Sequence, residues 1–145
     1  MTGIGISSFD SYIGIDYSGA ETPPASLMGL RVYFDVPGSV AKSTHAGLPW
    51  LRYIRLQVGD RVHFWPFDGW EIPAGRSVIV EVYPSLWSRS FAREARTADQ
   101  HDAYSVAAWL RHADLDGSLV SFFDPYLSPP ERTVAQVEGW ILGIK

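Results

Sequence analysis

The sequence contains no cysteine, which excludes a disulfide-stabilised scaffold and metal sites built on thiolates. This absence is typical of proteins from a reducing cytosol. No apolar run approaches the roughly 18 residues that a membrane-spanning helix needs. The first ten residues, MTGIGISSFD, lack the basic start of a secretory signal peptide. We therefore expect a soluble cytoplasmic protein with no membrane partner.

Charge is sparse and slightly negative, and the net charge of −4 argues mildly against bulk electrostatic binding to nucleic acid. Ten of the twelve basic residues are arginine, whose guanidinium suits bidentate phosphate contacts. Arg89, Arg93 and Arg96 recur at i, i+4 and i+7, so in a helix they form one stripe of candidate phosphate ligands. A solvated helix face offset by Glu94 explains the same spacing at least as well.

The stretch PGSVAKST, residues 37–44, invites comparison with a nucleotide-binding loop. That pattern needs glycine directly before the lysine and another five residues earlier, where this chain has Ala41 and Val36. The mismatch argues against such a loop. Lys42 is then either solvated or a further candidate phosphate ligand.

Strands separated by helices predict an α/β domain with a mixed β-sheet flanked by helices. The 145 residues, 46% of them hydrophobic, are enough for one domain with its own core. Residues 39–58 are predicted to be helical, with an interruption at Gly47-Leu48-Pro49 that makes two helices. The other predicted elements are strands at residues 12–17, 30–35, 61–66 and 77–84, and helices at residues 97–112 and after Ser128.

Two helix starts carry local signals. Thr97 with Gln100 resembles a capping box, and Ser128 followed by two prolines and Glu131 is a second one. The last helix is expected to pack through an apolar face of Val134, Val137, Trp140 and Ile141.

Four carboxylates are oddly placed for structural residues. Asp16 ends the apolar strand IGID before a small-residue turn, although it could be an ordinary strand end. Glu81 lies in SVIVEVYP, whose faces are both apolar, and its carboxylate suffers desolvation unless the strand end leaves it in water. Asp99 and Asp102 open the helix at 97–112 on or beside its core-facing stripe. Compensation of the helix dipole explains Asp99 well and Asp102 less well.

Converging carboxylates suit hard divalent cations such as Mg²⁺ and Mn²⁺, which prefer oxygen ligands. Two such ions about 4 Å apart would activate a water and stabilise the leaving oxygen in phosphodiester cleavage. The four histidines have no short metal-ligand spacing. His101 adjoins Asp102 and could orient it or transfer a proton, but an exposed helix histidine is the commoner case.

The segments IGIDYSG, VIVEVYP and DQHDAYSVAAWL resemble the three acidic motifs of the RNase H-like superfamily, nearest to the RuvC-like arrangement. In detail they are most similar to a family of predicted nucleases classed as a domain of unknown function. The resemblance implies an RNase H-like fold, a Mg²⁺ or Mn²⁺ cofactor and a nucleic acid substrate. It also implies that Asp16, Glu81 and Asp102 are catalytic metal ligands, with Asp99 as a fourth.

The chain departs from this family before its second motif. Only two strong strands precede the first helical region, where the superfamily opens with three. Asp35-Val36-Pro37 either stands in for a further strand bearing an aspartate, or that segment is missing. We therefore expect one shortened RNase H-like domain over residues 1–145.

Two other classes of function stay open. A shortened RNase H-like domain could be a non-catalytic binding or assembly module, which diverging acids would favour. A small-molecule enzyme on a similar scaffold would show a deep apolar pocket beside the acids.

Overall fold

The computed structural model describes residues 8–14 and 39–144, with the backbone alone for residues 39–46. The chain divides into two compact units, Tyr17–Gly59 and the combination of Met1–Asp16 with Asp60–Lys145. At a coarse level the architecture is α/β, with helices and small parallel sheets. The finer assignment to an RNase H-like fold stays a prediction. No helix in the described part of the chain is long and apolar enough to cross a membrane.

The described part of the Tyr17–Gly59 unit is one helix, α1, Ser39–Val58. The prediction of two helices is wrong, because the helix continues through Pro49. A proline inside a helix removes one backbone hydrogen bond and introduces a kink, and good helix formers on both sides can still propagate the helix. Leu48, Trp50 and Leu56 remain exposed, in agreement with the lack of a clean apolar stripe in this segment.

Two pairs of short parallel strands form the sheets of the larger unit. Strand β1, Val62–Phe64, pairs with β2, Ser77–Ile79, so that Val62 lies opposite Ser77. Strand β3, Glu81–Val82, pairs with β4, Ile141–Leu142, so that Glu81 lies opposite Ile141. Parallel partners need long crossover connections, and three helices separate β3 from β4.

These pairs confirm in shortened form the strands predicted at residues 61–66 and 77–84. Residues 12–14 are not in a strand, and the rest of the predicted strands at 12–17 and 30–35 lies outside the described residues. The expected mixed sheet is not seen in the described part, where both strand pairs are parallel.

The core of the larger unit is formed by residues of its strand regions and of its own helices. Its buried members are Trp65, Ala113, Leu119 and Leu142. Val78, Val80 and Val82 pack against that cluster from every second position of the β2–β3 stretch. Because side chains alternate along a strand, Ile79 and Glu81 belong to the opposite face. The side chain of Glu81 therefore lies on the side of the strand opposite the core cluster.

Helix α2, Ala98–Leu115, begins as predicted. The Gln100 amide donates to the Thr97 hydroxyl at 3.2 Å, and the Thr97 amide donates to the Gln100 side chain at 3.0 Å. Val106 and Ala113 are buried on the core side of α2. This agrees with the core-facing stripe predicted for the helix at residues 97–112. The short helix α3, Leu119–Phe122, follows and buries Leu119.

Helix α4, Pro129–Glu138, also begins at its predicted cap but presents a different face. Val134 and Val137 are exposed and Ala135 is buried, so the predicted apolar face is wrong. The chain leaves the helix at Gly139, whose φ of 94° redirects it into β4. Trp140 and Ile141 therefore follow the helix, and Ile141 contributes to a strand that the sequence did not predict.

The α4 cap makes stability sensitive to acid. The Ser128 hydroxyl and amide donate to Glu131 Oε2 at 2.6 and 2.8 Å, and these bonds lower the pKa of Glu131. A carboxyl whose pKa is lower in the folded state stabilises the fold above its unfolded pKa of about 4.3 and loses that effect as the pH falls through the folded value. Glu131→Gln is therefore expected to be less stable than the wild type at pH 7, with the gap closing below about pH 4.

Urea denaturation at pH 7, 5, 4 and 3 measures this gap. Ser128→Ala removes the hydroxyl donor and should show the same pH trend. A gap between wild type and Glu131→Gln that is equally large at pH 3 would contradict the assignment.

Candidate functional site

Residues 8–14 lie along helix α2 and are attached to it at two points. The Ser8 and Phe9 amides donate to Asp114 Oδ2 at 2.8 and 3.1 Å, and the Tyr12 hydroxyl donates to the same oxygen. At the other end, a Cβ placed on Gly14 would lie 1.9 Å from the carbonyl oxygen of Ala103. Only glycine permits this approach of the two backbones. The segment therefore runs antiparallel to α2, from the helix C-terminus towards its N-terminal half.

Asp99 and Asp102 lie in that N-terminal half. Asp99 is exposed in the first turn, where an acid compensates the helix dipole. Asp102 is half-buried and directly precedes Ala103, the residue that Gly14 contacts. The structure thus brings the segment that leads to the first acidic motif beside the third. Asp16 itself lies outside the described residues.

Glu81 is placed differently. It is exposed, and it projects from the β2–β3 face opposite the valines that pack into the core. Its Oε2 atom lies 3.7 Å from the position that a Cβ on Gly139 would occupy. The α2 residues Leu110 and Ala113 belong to the core on the valine side. Glu81 therefore has its carboxylate in water at the strand end, the simpler of the two interpretations of its sequence position.

Within residues 8–14 and 39–144, no three acids and histidines are grouped so that they could hold a metal ion. The metal set of Asp16, Glu81, Asp99 and Asp102 stays a prediction, since one of its members is not described. Among the other three, Glu81 is exposed on the β2–β3 face opposite the valines, whereas Asp99 and Asp102 lie at the start of α2.

His101 is buried rather than exposed. Its Nε2 lies 2.9 Å from the Ser88 carbonyl oxygen, so Nε2 is the donor of this bond. Its Nδ1 is buried, and no described residue gives it a hydrogen-bond partner. The ring therefore ties α2 to the 3-10 turn Ser88–Ser90, a structural contact that accounts for the histidine.

The arginine stripe does not form, because residues 91–97 are not helical. Arg89 is exposed in the turn Ser88–Ser90, and Arg93 Nε donates to the Arg96 carbonyl at 3.1 Å. Arg96 pairs with Glu94 at 3.0 Å and lies over the Tyr104 ring at 3.7 Å. The predicted phosphate role of these arginines stays untested, but it cannot rest on a common helix face. The Lys42 side chain lies outside the described residues.

A cleft of about 550 Å³ opens between the attached segment and α2. Its walls are residues 10–12 on one side and Tyr104, Ala107, Ala108, Arg111 and His112 on the other. None of Glu81, Asp99 and Asp102 lines it. It is therefore not the deep apolar pocket beside the acids that would favour a small-molecule enzyme.

Comparison with protein families, with curated proteins and with solved structures finds no match to this chain. The assignment of function therefore rests on the motifs and on the geometry of the described residues.

Sequence reasoning missed Asp114 as a site residue. One signal was available, because Asp114 lies in the last turn of α2, where basic residues are favoured and an acid opposes the helix dipole. An acid in that position suggests a compensating contact. Its partners, Ser8, Phe9 and Tyr12, are more than 100 residues away along the chain, and only the fold identifies them.

Proposed function

We propose that the protein is a metal-dependent nuclease of RNase H-like fold, with Asp16, Asp99 and Asp102 as ligands of Mg²⁺ or Mn²⁺ and nucleic acid as its substrate. The observation that carries the proposal is the course of residues 8–14. They run along α2 towards its acids, and Gly14 contacts the residue next to Asp102.

The covalent reach of the chain supports the same set. Asp16 follows Gly14 by two residues, and two residues span at most about 7 Å. Asp102 and Asp99 are one helical turn apart, so they can share one opening at the helix start. A divalent ion bound there would supply an activated water and a Lewis acid for phosphodiester hydrolysis. The contribution proposed for the chain is its carboxylate oxygens, the ligands that such an ion prefers.

Glu81 favours the second candidate, a non-catalytic binding or assembly module of the same fold. The resemblance makes this glutamate a ligand, yet it is exposed on the strand face away from α2. A nuclease needs its acids to converge, whereas a binding module does not. The two candidates therefore differ in whether metal binds and in whether Glu81 matters to it.

A thermal-shift titration with Mn²⁺, paired with hydrolysis of single- and double-stranded DNA and RNA, separates them. Ligand binding at 100 times Kd adds about 2.7 kcal/mol of stability, which raises the Tm by several degrees. Asp16→Asn and Asp102→Asn are expected to remove most of this rise and the hydrolysis. Glu81→Gln is expected to change the Tm rise little because of its position.

The exposed Asp60 offers a matched control, since Asp60→Asn makes the same chemical change in the turn Gly59–Arg61 rather than in α2. Its Tm rise should equal that of the wild type. A wild-type chain with no Mn²⁺ effect and no hydrolysis would exclude the nuclease and leave the binding module. A Glu81→Gln variant as impaired as Asp102→Asn would instead restore the full four-acid set.

A further inference from the structure

Asp114 is a buried acid that accepts three hydrogen bonds from one distant segment. Only 4% of its surface is exposed. Its Oδ2 accepts from the amides of Ser8 and Phe9 and from the Tyr12 hydroxyl. That hydroxyl also lies 3.1 Å from the Phe9 carbonyl oxygen, so the turn around residues 9–12 closes on the carboxylate.

A carboxylate is energetically unfavourable at this position. Burial removes it from water, and the C-terminal end of a helix repels negative charge. An apolar side chain would fill the same space next to the core without either cost, but it could not fix two backbone amides. The hydrogen bonds to Asp114 therefore fix the position of residues 8–12, which packing alone would not do.

The lengths of the two elements show that residues 9–14 can reach both attachments on α2. Asp114 and Ala103 are eleven residues apart on α2, which corresponds to about 16 Å at 1.5 Å per residue. The five steps from Phe9 to Gly14 span at most about 18 Å. The segment is therefore long enough to reach from Asp114 to Ala103. Releasing Asp114 would let Gly14 move away from Ala103.

We propose that Asp114 is a positioning residue that holds residues 8–14 on α2 and thereby delivers the chain that leads to Asp16 next to Asp102. The inference rests on the proposed nuclease function, because it concerns how the first and third acidic motifs meet. Asp114 is not among the proposed metal ligands. Its effect reaches the site only through the attached segment.

The test measures the attachment of residues 8–14 to α2 and the binding of Mn²⁺ separately. Hydrogen exchange of the Ser8 and Phe9 amides reports the attachment, and the apparent Mn²⁺ affinity from thermal-shift titration reports the site. Asp114→Asn keeps the side-chain shape and removes the charge. It is expected to speed exchange at both amides and to weaken Mn²⁺ binding by about 10- to 100-fold, the range found for residues that orient metal ligands.

Two further variants complete the experiment. Asp116→Asn is the matched control, since Asp116 is exposed two residues later and bonds Ser118 instead. It should change neither readout. Tyr12→Phe removes one donor and leaves Asp114 in place, so it keeps the test valid if Asp114→Asn fails to fold. It should shift both readouts in the same direction by a smaller factor.

The outcomes distinguish the two proposals. Faster amide exchange with unchanged Mn²⁺ affinity would overturn the positioning role and leave Asp114 as a purely structural residue. Unchanged exchange would show that the carboxylate does not hold the segment, which also overturns the inference. A wild-type chain without any Mn²⁺ effect would defeat the nuclease proposal and the positioning role with it, while the exchange data would still report whether the attachment exists.

Discussion

Trp65→Ala is expected to lower the free energy of unfolding by about 3–5 kcal/mol, the range for removal of a large aromatic side chain from a core. Trp65 is 1% exposed. Its ring makes edge contacts with Trp70 and Phe123 at centroid distances of 5.3 and 5.6 Å. Small domains are stabilised by only about 5–15 kcal/mol in total, so the variant should be close to unfolding. Urea denaturation followed by far-UV circular dichroism measures the loss.

Two companion variants sharpen this test. Tyr126→Ala also removes an aromatic ring, but Tyr126 is 92% exposed, and its loss should cost less than about 0.5 kcal/mol. Trp65→Phe keeps an aromatic ring and removes a buried indole N–H that has no hydrogen-bond partner among the described residues. It should therefore cost far less than Trp65→Ala. A Trp65→Ala variant no less stable than Tyr126→Ala would show that the core is not centred on Trp65.

Gly143→Ala is also expected to lower the free energy of unfolding strongly, for two reasons. The φ of Gly143 is 103°, a region that costs a residue with a Cβ about 1–3 kcal/mol. The new methyl group would also lie 2.2 Å from two ring atoms of Trp87. Trp87 cannot move freely, because its ring stacks on Trp109 at 3.7 Å with an interplanar angle of 14°. Overpacking of this kind costs roughly a further 1–3 kcal/mol.

Gly117→Ala provides the control for backbone strain. Gly117 has a φ of 78°, and no atom lies within 4 Å of the position that a Cβ on this residue would occupy. Its replacement should therefore show the backbone cost alone, and the difference between the two variants gives the cost of the clash with Trp87. Near-UV circular dichroism should detect the disturbed Trp87–Trp109 stack in Gly143→Ala only. Equal stability of Gly143→Ala and Gly117→Ala would contradict the predicted clash with Trp87.

The starts of α2 and α4 could be predicted because the interactions that set them are local. Each cap joins residues three apart, Thr97 with Gln100 and Ser128 with Glu131, so the sequence contains both partners in one short stretch. The valines of the β2–β3 stretch were equally visible, since alternation along a strand is a property of the backbone.

The wrong predictions concern elements whose structure is set by contacts between residues far apart in the sequence. The sequence could not show that the chain would turn at Gly139 into a strand, β4, that pairs with β3, or that Val134 and Val137 on α4 would be exposed. The predicted arginine stripe assumed a helix, yet residues 91–97 form turns in which Arg96 packs on Tyr104. In both cases tertiary contacts outweighed a periodic pattern.

By itself the sequence determined the chemistry available to this protein: no thiol, four acids on motif-like segments, and the local signals that begin two helices. The tertiary structure decided where the described acids lie. It placed Glu81 on the strand face away from α2, and it attached residues 8–14 to that helix through Asp114 and Gly14. The reason is physical. Helix caps depend on neighbours within one turn, whereas a site depends on strand faces and on hydrogen bonds between residues a hundred positions apart.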